Sequence, residues 1–474
     1  MHRKVAIFLF AIIVIANSPT SCIASRSLVL DGDDATPTSN TFYTSEYAPT
    51  DDDDDSQLKE AFFPEAWGSR PMKTFDVGTN NAETQDDSHQ QAFLEAMGAQ
   101  ENTFNVIDYG AVGNGQADDS IAFLKAWGAL CVSTTRGIAT LVVPKSKTFL
   151  LNSVAFQGPC RSSNINFQIQ GSIIAPNNIG AWKNKDKWIQ FANVPGLMIN
   201  GGGRIDGNGA GWWKLCGNKK SHCQRPTSLH IHKCDGFLLS RLTFLNSPKN
   251  HISINSCNGG RVFGLLISAP KESPNTDGID ISSSTKLTIH NSLIATGDDC
   301  IAINSGSSFI KINGVKCGPG HGISIGSLGQ NGEHSAVEEI QVSNCSFRGT
   351  QNGMRIKTWE GGSGYARKIT FEGITFTDIE NPIIIDQHYF ANPTSVMDIN
   401  KCVQVSDVTF RNIAGSSGVL QAITLDCGQN CCTNIIMDNV NIRSGVPNKD
   451  VYAYCNNAQG TSSFSTPYVP CLSH

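Results

Sequence analysis

Charged side chains and long apolar runs are both scarce in this sequence. Charged residues make up 16% of its 474 residues, against about 25% in an average soluble domain. No stretch beyond residue 16 approaches the roughly 20 apolar residues of a membrane span. With an apolar fraction of 39%, the composition excludes a disordered chain, a coiled coil and a polytopic membrane protein. The 45 glycines favour a globular protein built mostly from strands and turns.

The cysteines lack the spacing of a zinc site, because no Cys-x2-Cys pair recurs with a second such pair. We therefore expect no metal. The close pairs are candidates for disulfides: Cys216/Cys223, Cys300/Cys317, Cys427/Cys432 and Cys455/Cys471. The cysteines that recur singly at strand ends are predicted to be buried apolar residues: Cys234, Cys257, Cys345 and Cys402. At least one of the 15 that remain after Cys22 must stay unpaired.

The N-terminal residues predict export. His2, Arg3 and Lys4 precede an apolar run of twelve residues, 5–16. This run is too short to span a bilayer and is typical of a secretory signal peptide, which we place at residues 1–24. An N-terminal membrane anchor is the alternative. The mature protein is expected to be soluble, secreted and extracellular, with no membrane partner.

Charge is distributed unevenly along the rest of the chain. Residues 25–103 hold 17 acidic and four basic residues, whereas residues 104–474 hold 24 acidic and 30 basic residues. The acidic segment 25–103 is predicted to be a low-complexity pro-segment or tail, which either aids solubility or covers a basic groove until it is removed. The basic body indicates a polyanionic partner. Secretion and the lack of a nucleic-acid motif favour an acidic polysaccharide over nucleic acid.

A short strand pattern repeats along the body of the chain. Its starts are 23, 27, 22, 22, 31 and 29 residues apart, and its copies are Leu229–Ile231, Ile252–Ile254, Ile279–Ile281, Ile301–Ile303, Ile323–Ile325, Met354–Ile356 and Ile383–Ile385. A period near 22 residues without intervening helices predicts a solenoid whose coils stack and pair in parallel. The leucine-rich frame is absent, and a sandwich would show strands every 8–12 residues.

The predicted fold is therefore all-β, a right-handed parallel β-helix over residues 104–474. It is expected to open with a strand at residues 104–107. A short helix at Ser120–Leu130, with Asp118 or Asp119 as N-cap, is expected to cap the first coil. Its apolar face is predicted from the spacing to contain Ile121, Leu124 and Trp127.

The repeat also aligns ionisable residues. Asp277, Asp299 and His321 each lie two residues before the repeated strand, so they are predicted to form a column about 4.8 Å apart per coil. Strict alternation would point Asp277 inward, so a bend is needed, which Gly278 and Gly322 could supply. Isolated Asp-Gly pairs are ordinary turn residues. With Asp298 beside Asp299, however, three carboxylates lie in one strip and repel each other, which indicates a functional site.

Two cations are expected beside this column. Arg355 and Lys357 flank Ile356, so both are predicted to lie on the face opposite the core. Three carboxylates, an imidazole and two cations are thus predicted to converge on one strip.

Four motifs in register resemble the polygalacturonases, glycoside hydrolase family 28, and their surroundings look like the plant enzymes. The motifs are Asn275-Thr276-Asp277-Gly278, Gly297-Asp298-Asp299, Gly320-His321-Gly322 and Arg355-Ile356-Lys357. The resemblance extends from about Phe104 to Cys471. It implies a right-handed parallel β-helix that hydrolyses α-1,4-galacturonosyl linkages of polygalacturonate (pectin) by inverting single displacement, without metal or organic cofactor.

The resemblance also implies roles for the four aligned residues. Asp298 is expected to be the general acid, and Asp277 and Asp299 are expected to hold and deprotonate the attacking water. His321 is expected to support the protonation state of the acid. Neighbouring carboxyls raise at least one pKa and titrate as a unit, which favours an acid working pH.

Three further residues are implied to contact the substrate. Arg355 and Lys357 match the positions that bind the galacturonate carboxylate, and Tyr389 matches a position that lines the site. Attack is expected to be internal (endo), by a monomer in the cell wall. The alternatives are an exo-polygalacturonase or related pectin-backbone hydrolase, a pectate or pectin lyase, and a non-catalytic wall-binding β-helix.

Overall fold

The computed structural model describes residues 102–134, 137–216, 223–389 and 401–473. The predicted signal peptide, 1–24, lies outside the described residues. So does the predicted acidic segment, 25–103, apart from Asn102 and Thr103, which begin the first strand. No helix of the described residues is long and apolar enough to cross a membrane.

One face of the molecule is a sheet of eleven parallel strands, counted within the described residues and called here the smaller sheet. Its strands are Val154–Gln157, Lys187–Ala192, Thr227–His232, Ile252–Asn255, Ile279–Ser282, Ile301–Ile303, Ile323–Leu328, Asn352–Thr358, Asn381–Asp386, Gln421–Asp426 and Tyr452–Asn456. Each strand pairs with its counterpart in the preceding and following coils. The smaller sheet contains every copy of the repeat found in the sequence.

The other 22 strands of the described chain form a larger sheet made of two parallel ladders. The first ladder contains Asn102–Asn105, Ala139–Val143, Ile165–Ile169, Leu197–Asn200, Phe237–Ser240, Asn258–Phe263, Thr285–His290, Ser307–Asn313, His334–Ser343, Ser363–Ile379, Gln404–Ser417, Cys432–Ser444 and Ala458–Ser463. The second contains Asn114–Asp118, Thr148–Leu150, Ser172–Ile174, Arg204–Asp206, Thr243–Leu245, Leu266–Ser268, Leu293–Ala295, Lys316–Cys317 and Ser346–Arg348. The ladders join at Ser363–Ile379, which pairs with both.

The register of the smaller sheet matches the alignment read from the repeat. Leu229 pairs with Ile252, Ile252 with Ile279, and Ile279 with Ile301, and the series continues in the same way. The paired residues are all fully buried. Because each coil alone would expose its apolar row, stacking is what buries it. The predicted right-handed parallel β-helix is confirmed.

An α-helix at Ser120–Val132 packs on the first coils. Phe123 and Trp127 face the interior, where the ring of Trp127 lies 5.2 Å from that of Phe156. The indole nitrogen of Trp127 also donates to the carbonyl of Gln157 at 3.0 Å. Large aromatic rings thus shield the open end of the core, as expected of a terminal coil.

The predicted apolar face of this helix was wrong in two of its three residues. Ile121 is 67% exposed and Leu124 is 41% exposed, whereas Trp127 is buried. The residues that face the core are Ala122, Phe123, Ala126, Trp127 and Leu130. Their i, i+4 spacing follows the helical period, whereas the predicted i, i+3, i+6 spacing turns away from one face.

Both predicted N-cap residues bond backbone amides near the start of this helix. Asp119 occupies the N-cap position, but its carboxylate accepts from the N–H groups of Val112 and Gly113 in the preceding turn. The carboxylate of Asp118 accepts from the N–H of Ser120 at 3.1 Å. The pair thus ties the helix to the first coil.

The first strand was predicted at residues 104–107 and lies at Asn102–Asn105 instead. Residues Val106–Tyr109 form a 3₁₀-helix, because the side chain of Asn105 accepts from the N–H of Ile107 and caps it. The other helices of the described residues are the α-helix Ala210–Cys216 and the 3₁₀-helices Ile179–Ala181 and Gln330–Gly332.

The four predicted disulfides are present, and the described residues contain two more. Cys402 pairs with Cys431, so the prediction that Cys402 is an unpaired apolar residue was wrong. Cys131 pairs with Cys160 and was not predicted. Both added bonds join residues 29 apart, a separation of about one coil, which places distant cysteines in adjacent coils. The other three recurrent cysteines, Cys234, Cys257 and Cys345, are free and buried as predicted.

Candidate active site

The aligned ionisable residues lie at the turns that enter three neighbouring strands of the smaller sheet. Asp277, Asp299 and His321 each precede their strand by two residues, and Ile279, Ile301 and Ile323 pair in sequence. Backbone bonds hold the turns in the same order, since the N–H of Gly278 donates to the carbonyl of Asp299 at 2.9 Å. Stacking of coils therefore brings residues 22 positions apart into one row.

The two glycines proposed to bend these turns act differently. Gly322 has a left-handed backbone (φ +83°), and a Cβ there would lie 2.2 Å from the carbonyl oxygen of Asn352. Gly278 has no left-handed φ. It is needed because a Cβ would lie 2.5 Å from the carbonyl oxygen of Cys300. Both positions require glycine because neighbouring coils approach closely there, and only Gly322 also has a left-handed backbone conformation.

Asp298 is held at both oxygens and lies on the solvent-facing side of the cluster. This side, lined by Asp298, His321 and the exposed Asn275, is called here the groove. Its Oδ1 accepts from the N–H of Asp299 at 2.9 Å and lies 3.0 Å from Nδ1 of His321. Its Oδ2 accepts from Nδ2 of Asn275 at 3.1 Å. The Asp298 side chain is 18% exposed, so a reacting group in the groove can reach it.

Asp299 is buried beneath the same cluster and is bonded to both predicted cations. Arg355 Nη2 donates to its Oδ1 at 2.7 Å, and Lys357 Nζ donates to its Oδ2 at 2.8 Å. Ser324 also donates to Oδ1, and its hydroxyl accepts from Nε of Arg355. The Asp299 side chain is only 2% exposed. This network holds the Asp299 side chain in place, because both of its oxygens accept charge-assisted bonds.

Tyr389 lies over the two cations. Its ring centroid is 5.3 Å from Nζ of Lys357 and 5.9 Å from Cζ of Arg355. The ring of Trp359 meets it edge to face at 6.5 Å. The structure thus brings all seven predicted site residues into one cluster, in which Arg355 and Lys357 lie on the smaller sheet and the other five lie in the turns beside it.

The carboxyls of Asp298 and Asp277 have opposite electrostatic environments. Burial alone would raise the pKa of Asp298, but the hydrogen bond from His321 and the charges of His321 and Lys357 outweigh it and lower this pKa. Burial raises the pKa of Asp277 well above its ordinary value, and the charges of neighbouring carboxylates reinforce the shift. No described residue donates a hydrogen bond to the Asp277 carboxylate.

Asp280 is a member of the cluster that the sequence analysis missed. It lies between Ile279 and Ile281 on the outer face of its strand, and its Oδ1 is buried without a hydrogen-bond partner in the described part of the chain. Burial and the charge of Asp299 raise the pKa of Asp280 to about 7. The sequence could have indicated Asp280, because it is the middle residue of a repeated strand and such residues face outward, as Arg355 does.

Asp298, Asp299 and His321 place ligand atoms within 4.8 Å of one another, a spacing that could hold a metal ion. The donor set fits a cation poorly. Both oxygens of Asp299 already bond Arg355 and Lys357, and these two positive charges would repel a metal ion placed beside them.

The sequence is similar to those of known plant proteins. The family profile described as glycosyl hydrolases family 28 matches residues 131–466. The chain is 47% identical over 377 residues to a probable polygalacturonase of Arabidopsis thaliana, covering 78% of this chain and 81% of that protein. It is 42% identical over 354 residues to a polygalacturonase of Chamaecyparis obtusa, covering 73% and 68% respectively.

Among solved structures, the fold is similar to that of the endo-xylogalacturonan hydrolase from Aspergillus tubingensis. The TM-score is 0.67 at 25% identity, covering 77% of this chain and 100% of that one. The family profile spans more than half of the chain, and the sequence relatives match over about three quarters of it. The chain therefore belongs to glycosyl hydrolases family 28.

Proposed function

We propose that this glycoside hydrolase cleaves α-1,4-galacturonosyl linkages of polygalacturonate by single displacement with inversion. The observation that carries the proposal is the pairing of unlike carboxyls. Asp298 reaches the groove and is bonded at both oxygens, whereas Asp277, in the preceding coil, has a carboxylate free of described donors. Hydrolysis with inversion needs one carboxyl to give a proton and another to take one from water.

Asp298 is assigned as the general acid because it reaches the groove. Its bond to His321 lowers its pKa and so favours the ionised form, contrary to the expectation that His321 supports the protonated acid. Its proton passes to the glycosidic oxygen as the bond between that oxygen and the anomeric carbon breaks. Asp277 is assigned as the base that holds the water, takes one of its protons and lets its oxygen bond the anomeric carbon. No covalent bond to the enzyme is required.

Asp299 was predicted to hold the attacking water together with Asp277, but its bonds to Arg355 and Lys357 limit this role. Its oxygens already accept from Arg355, Lys357 and Ser324, which leaves fewer lone pairs to hold a water. We assign it to keep the two cations in place. No described residue accepts from Nη1 of Arg355, and only one of the three N–H groups of Lys357 donates to Asp299. Both side chains therefore retain donors for the galacturonate carboxylate.

The position of the site in the smaller sheet supports internal attack on the polymer. Four strands of this sheet precede the strand that follows Asp277, and three follow the strand that carries Arg355. A polymer lying along the sheet can therefore extend to both sides of the site. Tyr389 is assigned to the wall of the groove beside the cations. Six disulfides among the described cysteines suit the oxidising route to the cell wall, where we place the enzyme.

The purified protein should release reducing ends from polygalacturonate with a fast fall in viscosity and oligomers as early products. Monomer as the sole early product would contradict internal attack. Product that absorbs in the near ultraviolet would indicate elimination by a lyase and would contradict hydrolysis. The Asp108→Asn variant, altered at an exposed carboxyl in the first coil, is a control that should behave as the parent.

The pH profile should reveal that the pKa of the acid, Asp298, lies below that of the base, Asp277. This is the reverse of the usual order, so the active form, with a proton on Asp298 and none on Asp277, is a minor species of the singly protonated pair. In that order, the acid limb of kcat belongs to Asp298 and the alkaline limb to Asp277. His321→Ala removes the bond and charge that lower the pKa of Asp298, so this pKa rises and the acid limb moves to higher pH. Movement of the alkaline limb instead would contradict the assignment. His334→Ala, at an exposed histidine, is the matched control.

A further inference from the structure

Arg225 is a buried cation next to the site that neither the sequence analysis nor the proposed reaction uses. It lies four residues before Leu229, in the turn that enters Thr227–His232, and it is 9% exposed. Its guanidinium reaches two coils onward along the helix. Nη1 donates to the carbonyl oxygens of Pro248 at 3.3 Å and Pro274 at 2.6 Å.

The same guanidinium is bonded to the residue that holds the acid. Nη2 of Arg225 donates to Oδ1 of Asn275 at 2.7 Å, and Nδ2 of Asn275 donates to Oδ2 of Asp298 at 3.1 Å. An arginine side chain has only donors, so it can meet only the carbonyl oxygen of the Asn275 amide. The amide then has to turn its NH₂ group toward Asp298.

This orientation matters for the proton that Asp298 must deliver. An amide NH₂ group cannot accept a hydrogen bond, so a proton on Oδ2 of Asp298 cannot point at Asn275. Oδ1 accepts from the N–H of Asp299 and lies 3.0 Å from Nδ1 of His321, which donates to it in the tautomer that carries a proton on Nδ1. The proton is therefore left to point into the groove. A rotated Asn275 amide would present its oxygen instead and accept the proton of the acid.

We propose that Arg225 is a positioning residue that locks the Asn275 amide and thereby aims the proton of Asp298 at the leaving oxygen. The inference rests on the proposed function, because it assumes that Asp298 is the general acid. Arg225 itself touches neither substrate nor water in this scheme. Its Nη1 and Nη2 atoms bond two backbone carbonyls and one amide oxygen, which offsets part of the cost of burying the charge, whereas its Nε is buried without a partner among the described residues.

The test compares two leaving groups with Arg225→Met and Asn275→Ala. Protonation of the leaving oxygen matters for polygalacturonate but little for an aryl oligogalacturonide that releases nitrophenolate. Each variant should lose about 10-fold or more in kcat on polygalacturonate, a part of the 10²–10⁴-fold that general acids supply. KM should change little, and kcat on the aryl substrate should stay within about twofold. Arg204→Met, on the larger sheet, is the control and should match the parent on both substrates.

The double variant Arg225→Met/Asn275→Ala distinguishes the proposed orientation of the Asn275 amide by Arg225 from a contribution of Arg225 to folding alone. Because both residues act through one contact, the double variant should be no worse than Asn275→Ala alone. If Arg225→Met fails to fold, the exposed Asn275→Ala variant carries the test with the same leaving-group pattern. Equal losses on both substrates, or full activity on polygalacturonate, would overturn the inference. Failure of the parent protein to cleave polygalacturonate would instead overturn the proposed function.

Discussion

Asp298→Asn should lower kcat on polygalacturonate at least 100-fold, at the low end of the 10²–10⁴-fold typical of a general acid. The amide has the size of the carboxyl and keeps its place between His321 and Asn275, but it cannot release a proton to the leaving oxygen. Binding of polygalacturonate and the melting temperature should change little. Kinetics on purified variants, with Asp108→Asn as the control, give the comparison.

The leaving group sharpens the result for Asp298. An aryl oligogalacturonide that releases nitrophenolate needs no acid, so Asp298→Asn should cleave it at close to the rate of the parent protein. Retention of more than about a tenth of activity on polygalacturonate is too much for a lost general acid. Equal loss on both substrates would place Asp298 in another role.

Asp277→Ala should cause a loss of similar size, about 10²–10⁴-fold, but with the opposite dependence on the leaving group. The base acts on water, so both polygalacturonate and the aryl substrate should be affected. Removal of the carboxylate leaves room for a small anion in the place of the water. Added azide should therefore restore turnover of the aryl substrate and give the β-glycosyl azide as product.

The azide experiment also separates the two carboxyls. Asp298→Asn should gain nothing from azide, because its defect lies in the leaving group rather than the nucleophile. An Asp277→Ala variant that cleaves the aryl substrate normally, or that azide does not restore, would contradict the base assignment.

The stacking of the site could be predicted from the sequence because the repeat determines register. Once Ile279, Ile301 and Ile323 are paired, the residues two positions before them must lie in one row. The same argument placed Arg355 and Lys357 on the outer face, where the structure has them. A periodic fold converts sequence spacing into distance, and few other folds allow this.

The partners of each side chain could not be predicted in this way. The spacing placed Arg355 and Lys357 near the carboxylates but did not show that both bond Asp299. Asp280 could have been found, since it occupies the outward position of a repeated strand. Arg225 gave no signal, because it lies in a turn of irregular length and acts through a side chain two coils away.

Errors in the sequence predictions arose where the repeat gave no guidance. The capping helix precedes the repeat, so its buried face depended on a choice of spacing that Ile121 and Leu124 show to be wrong. The partner of Cys402 was missed because only close pairs were considered, although a separation of one coil brings residues equally near.

The stereochemistry of the first product tests the central claim most directly. If Asp298 gives a proton while Asp277 directs one water to the opposite face, an α-linked oligogalacturonate must yield the β-anomer first. Proton NMR, recorded before mutarotation, should show the β-anomer appearing ahead of the α-anomer. An initial α-anomer, or a glycosyl group trapped on an aspartate, would contradict single displacement and the roles of both residues.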